Sequence, residues 1–326
     1  MRSRRLAAVA VVAVSLGAAT VLAVVRVRST EVALDLKADE VTLTLPSDQP
    51  ALGDALLVAS LGAAGLSAVA VPNADGTVNA DARVSTVLLT AVRNRRQSGR
   101  VTMDLSALAL AAGTRVRAGV GSLANEYQLS LTGTLPDVAV LAVGAVHVLA
   151  PGAFDRRLSF DRPLPIMLRP DRDGDSSAVV DLDLSFKDTA SVRLLHQVPT
   201  SGLRLLRVEQ FVRPEHTGVR EVSTIRSGIL RYESLNGKAR ELRPGEELRF
   251  RDSRGEVTEL RLAADGVRLL FHGRVAGMRS GPEQRSVMPT LLEYANAATG
   301  PGFIVASTVY VAGLAFTVLR WWRKPT

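Results

Sequence analysis

Val180-Asp181-Leu182-Asp183-Leu184-Ser185-Phe186 puts Val180, Leu182, Leu184 and Phe186 on one side of an extended chain and Asp181, Asp183 and Ser185 on the other. Side chains of a strand point alternately to opposite faces, so this period of two reads as a half-buried β-strand. Wound as a helix, the same residues would mix aspartate into the apolar stripe.

The pattern spreads in both directions. C-terminal to it, strands are expected at Leu206–Val208, Val222–Ile225, Gly228–Tyr232, Glu247–Phe250, Val257–Leu262 and Val267–His272. Asn236-Gly237, Pro244-Gly245, Ser253-Arg254-Gly255 and Asp265-Gly266 punctuate them as turns. Asn-Gly and Asp-Gly are strong short hairpin signals, and such regular punctuation implies an antiparallel meander or sandwich. N-terminal to it, Val32–Leu36, Val41–Leu45, Val84–Val92, Val101–Leu105, Tyr127–Leu131 and Val138–Val148 read as strands, with Gly133 and Pro136 turning between the last two. Asp54–Val71 reads either as a short helix and a strand or as two strands around Gly62 and Gly65, and Pro72–Gly76 as a turn. Pro151-Gly152 is the best internal boundary. The expected fold class is therefore all-β, with two antiparallel sandwich-like domains over residues 26–152 and 153–282. After Gly281-Pro282 the β pattern stops. Val287–Ala298, within a juxtamembrane segment 283–301, reads as a short helix opened by Pro289 near its first turn, with Leu291, Leu292 and Tyr294 at a membrane surface.

Two apolar stretches flank this β region. Leu6–Val25 holds twenty residues without a charge. At about 1.5 Å of rise per residue it reaches roughly 30 Å, the thickness of a hydrocarbon core. A cleaved leader ending near Val21-Leu22-Ala23 is the competing reading, and the length favours a retained signal anchor. Phe303–Leu319 runs into Arg320-Trp321-Trp322, so residues 302–320 are expected to span as well, with aromatic residues at the headgroups. A buried C-terminal helix is the alternative there. Arg2, Arg4 and Arg5 in the tail 1–5, and Arg320, Arg323 and Lys324 around the tail 321–326, have no acidic counterpart. The excess of Lys and Arg on cytoplasmic flanks then puts both termini inside the cell membrane and the middle outside.

These ends carry six positive charges of a formal net +8, leaving +2 for the roughly 275 residues between the stretches. A nucleic-acid footprint needs a clustered basic surface, so nucleic acid is not an expected partner. Arg93-Asn94-Arg95-Arg96 reads as a solvated hairpin tip, and the alternation of Arg and Glu over Arg240–Arg261 as cross-strand ion pairing on a wet face. The chain has no cysteine, which excludes disulfides, cysteine metal sites and a cysteine nucleophile. The middle is also poor in aromatic residues, which weakens stacking on bases or sugars.

Candidate chemistry is sparse. Asp171, Asp173 and Asp175 have the carboxylate density of a calcium loop, but Gly174 and Leu182 do not stand where an EF-hand needs glycine and glutamate. They are the one candidate metal site, with a polar turn as the plainer reading, and no other cofactor is expected. His147, His196, His216 and His272 are not at ligand spacing. His147 and His272 fall within strands, the other two near turns. Neither a nucleophile elbow nor a phosphate-binding glycine loop is present, and no catalytic residue is assigned. The expectation is a membrane-anchored extracytoplasmic β protein acting without catalysis as an interaction subunit, scaffold or sensor, with a protein partner in the cell envelope. The alternative is an extracytoplasmic ligand-binding or hydrolytic domain acting on an envelope polymer.

Overall fold

The alternation that marks the strands also decides which side chains leave water. Along the first strand Thr30, Val32, Leu34, Leu36 and Ala38 are buried, while Glu31, Asp35 and Lys37 are exposed. A computed structural model of the chain describes residues 20–49, 57–73, 77, 82–92, 102–105, 108–121, 126–171, 179–187, 191–213, 216–263 and 265–299, with scattered helical residues within 13–17 and 309–320. The described chain is predominantly antiparallel β, as the periodicity predicts.

The strands are β1 (Thr30–Ala38), β2 (Glu40–Thr44), β3 (Leu57–Val58), β4 (Ser60–Ala64), β5 (Leu66–Ala70), β6 (Ala82–Arg83), β7 (Thr86–Ala91) and β8 (Thr102–Asp104). Then come β9 (Arg115–Val120), β10 (Glu126–Thr134), β11 (Val138–Ala150), β12 (Phe154–Pro170), β13 (Val179–Lys187), β14 (Ser191–Arg204), β15 (Leu206–Arg213) and β16 (His216–Ser223). Last are β17 (Ile225–Tyr232), β18 (Lys238–Leu242), β19 (Leu248–Phe250), β20 (Ser253–Ala263), β21 (Gly266–Val275), β22 (Met278–Ser280) and β23 (Arg285–Ser286), followed by helix α1 (Leu291–Thr299).

The pairing closes on itself twice. β1 and β2 are one run of chain bent at Asp39, and the path β1–β21–β20–β14–β2 returns to that run. β4 and β5 are likewise one run bent at Gly65 (φ 78°), a left-handed conformation that suits glycine, and the path β4–β7–β11–β12–β5 returns to it. Each strand of the two circuits is thereby paired on both sides, so neither circuit offers a free edge to another chain. β9, β10 and β13 join the circuits through β2–β9–β10–β13–β4. Side chains from both circuits pack into one continuous hydrophobic core.

This pairing differs from the division read from sequence. β1 pairs with strands from residue 191 onward and β2 pairs both with β14 and with β9, while β12 and β13 pair with β4, β5, β10 and β11. Pro151-Gly152 is the turn of the β11–β12 hairpin, with Gly152 at φ 79°. Alternation reports that a strand has one wet face; it carries no information about which distant strand will pair with it.

Three local readings are corrected. The described part of Asp54–Val71 is strand, so the helical option there falls. Gly133 lies inside β10, where a Cβ would fall 2.8 Å from Thr114 Cα, and Ser253-Arg254-Gly255 opens β20 instead of turning. Both glycines serve close backbone approach. Cross-strand ion pairing over Arg240–Arg261 is met only in part: among the described residues Arg249–Glu221 joins β19 to β16, whereas Arg261–Glu259 (2.5 Å), Arg249–Glu247 (3.3 Å) and Arg254–Asp252 (3.6 Å) join residues two apart along the chain, and Arg240–Glu246 (2.5 Å) spans a turn. The basic run 93–96 lies outside the described residues.

Helix α1 begins two residues after Pro289. Thr290 Oγ1 accepts the Glu293 backbone N–H (3.2 Å), and the Glu293 carboxylate accepts the Thr290 backbone N–H (2.9 Å). This is a reciprocal capping box, and it holds the Glu293 carboxyl below the ordinary glutamate range, helped by Lys238 at 3.0 Å. Thr290→Ala is expected to cost about 1 kcal/mol and lower the melting temperature by about 2–4 °C, while Thr290→Ser stays near wild type, as read by thermal denaturation.

Most of Leu6–Val25 and Phe303–Leu319 lies outside the described residues. Where described they are helical as far as Val24 in the first and throughout in the second, and Val21, Val24, Val309, Tyr310 and Phe316 are exposed. Among the described residues no helix is long and apolar enough to cross a membrane.

Candidate functional site: an arginine-lined groove

After β21 the chain turns at Gly277 (φ 119°) and runs back as β22 against β19, pairing Leu248 with Ser280, Arg249 with Arg279 and Phe250 with Met278. Alternation sends Leu248, Met278 and Ser280 inward and leaves Arg249 and Arg279 opposite each other on the outer face. Like charges directly opposite on neighbouring strands repel. Arg249 is compensated by ion pairs to Glu221 and Glu247. Arg279 meets the neutral amide of Gln284 at 3.4 Å.

The segment that follows the first apolar stretch lies alongside. Arg26 forms an antiparallel bridge with Thr290, fixed by Val27 N–H to Pro289 O (2.9 Å) and Leu291 N–H to Val25 O (2.8 Å). The Arg26 guanidinium donates to Met288 O. Between this segment and the β19–β22 pair lies a groove of about 890 Å³. Arg26, Arg28, Arg249, Arg251 and Arg279 line it against a single acid, Asp252. Its apolar part is Phe250, half-buried, with Met278 and Met288, both buried. A guanidinium presents a planar fork of donors matched to phosphate or carboxylate oxygens, so the lining suits an anion with an apolar neighbour.

The wall behind β22 is held by a second polar cluster. Glu246 accepts hydrogen bonds from Arg240 (2.5 Å), Ser280 Oγ (2.6 Å) and the Arg243 backbone N–H (3.2 Å). Burial pushes the Glu246 carboxyl up, but these donors and the Arg240 charge outweigh it and leave it below the ordinary range. A smaller hollow of about 360 Å³ under α1 shares Arg26 and Met288 with the groove. There Tyr232 donates its hydroxyl to Val287 O (2.8 Å), and burial raises its phenol above the ordinary value.

The residues singled out in sequence lie elsewhere. Asp171 follows β12, its backbone N–H donating to Gly65 O at 3.0 Å, while Asp173 and Asp175 lie outside the described residues. Among the described residues no group of three or more His, Cys, Asp or Glu stands close enough to hold a metal ion. His147 in β11 meets Asp155 at 2.5 Å, and His272 is exposed on β21. His196, expected near a turn, lies within β14, bonded to Thr258 O (3.0 Å), whereas His216 opens β16 opposite Arg213 at the connected end of the β15–β16 hairpin, as expected. Sequence reading missed the groove because its arginines come from positions 26–28, 249–251 and 279. The available signal was the alternation of Arg249-Phe250-Arg251 and Met278-Arg279-Ser280, which puts arginine beside an apolar face twice.

β15 and β16 form a separate two-stranded arm. On one face Arg207 and Arg220 hold Glu209 between them, at 2.6 and 3.2 Å, and keep its carboxyl below the ordinary range. On the other, Val208 and Val219 are 66% and 64% exposed. No protein-family model, curated protein or solved structure matches this chain.

Proposed function

We propose that this chain is a membrane-tethered, extracytoplasmic all-β protein that acts without catalysis as an interaction subunit, scaffold or sensor of the cell envelope, with both termini on the cytoplasmic side. The observation that carries the reading is the Arg26–Thr290 bridge, which joins the end of the first apolar stretch to the segment leading into the second. Two spans leaving from one place on the β body fit a single membrane surface beneath it. The exposed apolar residues on the described helical parts of both stretches agree with lipid contact. The β15–β16 arm is the surface on which a protein partner would sit: an isolated two-stranded ribbon is marginal in water, and this one offers exposed valines and free strand edges.

The absence of cysteine makes a direct test clean. Val219→Cys is expected to react in intact cells with a membrane-impermeant maleimide, while Thr326→Cys reacts only after permeabilisation. A crosslinker attached at position 219 is expected to capture one reproducible protein. Protection of position 219 with labelling of 326 would invert the topology, and labelling without a crosslinked partner would remove the interaction role.

A further inference from the structure

We propose that the arginine-lined groove is a binding site for the phosphate headgroup of an anionic phospholipid in the membrane that tethers the protein. The proposal rests on the tether reading above and adds what the protein recognises at that surface. Its first support is charge. Five arginines line the groove against one aspartate; Glu221 and Glu247 compensate Arg249, while Arg279, opposite it across the strand pair, meets only the neutral amide of Gln284 among the described contacts. Gathering the other four arginines, Arg26, Arg28, Arg251 and Arg279, around one hollow costs free energy in the empty protein and is relieved by an anion among their guanidinium groups.

The second support is position. Arg28 lies three residues beyond Val25, so its Cα is at most about 11 Å from the end of the proposed span at 3.6 Å per residue. The polar layer of a bilayer adds roughly 5–8 Å on each side of its hydrocarbon core. Arg26 and Arg28 therefore stand at headgroup depth or just above it, which separates a lipid phosphate from a soluble anion as the occupant. The third support is the floor. Phe250, Met278 and Met288 give the groove an apolar side that a free inorganic phosphate does not need and that the glycerol and first acyl carbons of a lipid would cover. Arg251 and Arg279 are exposed, and the side-chain hydrogen bond from Arg279 to Gln284 is 3.4 Å long, so both are available to a ligand.

The test uses the full-length chain carrying Ser286→Cys, at an exposed groove position, labelled with an environment-sensitive fluorophore and held in mixed micelles. Titrating phosphatidylglycerol into phosphatidylcholine micelles is expected to give a saturable fluorescence change. Removing two of the five arginines by Arg251→Gln with Arg279→Gln is expected to weaken the response by about tenfold or more. Arg268→Gln, at the far end of β21, is expected to leave it unchanged. An equal response of both variants, or no dependence on phosphatidylglycerol, would overturn the proposal. A response of equal affinity to inorganic phosphate in pure phosphatidylcholine micelles would make this a free-anion site and overturn the lipid assignment. Failure of the tether reading shows in the cysteine-labelling pattern of intact cells. Failure of the groove leaves that pattern intact and shows only in the micelle titration.

Discussion

Gly273→Ala is expected to destabilise the protein by about 3 kcal/mol and lower its melting temperature by roughly 10 °C. Gly273 sits opposite Gly255 in the β20–β21 pair and opposite Val32 in the β1–β21 pair, so it lies inside a closed circuit with a neighbour on each side. A Cβ at Gly273 would fall 2.5 Å from Arg254 O, 2.6 Å from Gly255 Cα and 2.7 Å from Phe271 Cζ. The first two are backbone atoms that cannot rotate away. The Phe271 ring, itself buried, lies over the space that a side chain would take. An added methyl must push β20 from β21, and because the circuit returns to the β1–β2 run, no free edge absorbs the shift. Gly119→Ala is the matched control. It also stands in a strand, but its nearest neighbours would be 3.4 Å or more away, so its effect is expected to stay within about 0.5 kcal/mol. Thermal denaturation of the purified full-length variants, followed by far-ultraviolet circular dichroism, measures both. Equal melting of the two variants would mean that β20 and β21 do not approach as described.

The same residues show how far the sequence could be read. Alternation located the strands well, because burying one face is a local property written every second residue: Val32, Leu34 and Leu36 are all buried in β1 as the pattern requires. Glycine was less transparent. Gly237 marks a turn with open space around it (φ 73°), Gly133 and Gly255 sit in strands where another backbone comes close, and Gly266 does both, with φ at 124° and Ala38 O 2.8 Å from where a Cβ would stand. A turn and a close approach both call for the absence of a side chain, and only the partner strand tells them apart. The groove was illegible for a related reason. Arg28 and Arg279 line one hollow although about 250 residues separate them along the chain, and no spacing rule connects them. Net charge hid them as well, since a nearly balanced middle can still place five arginines together.

Glu246→Ala is expected to cost about 2–3 kcal/mol, the value of losing charge-assisted hydrogen bonds in a largely enclosed position. The side chain is 15% exposed, so solvent screens it little. It gathers the Arg240 guanidinium, the Ser280 hydroxyl and the Arg243 N–H, and its own backbone carbonyl accepts Ser223 Oγ at 2.7 Å. Removing the carboxylate leaves a partly buried arginine without its counter-charge at the foot of the groove wall. The pH dependence has a definite sign. The carboxyl titrates lower in the folded protein than its ordinary value of 4.5, so the folded state holds the charged form more firmly than the unfolded chain does. Its contribution is complete above that value and is lost as pH falls through the lower folded value. Wild type and Glu246→Gln are therefore expected to differ most near neutral pH, with the gap narrowing below the ordinary glutamate value. Melting temperatures of the two proteins across acidic pH measure this directly. A gap that stays constant down to the lowest pH at which both remain folded would mean that the Glu246 charge does not hold the groove wall.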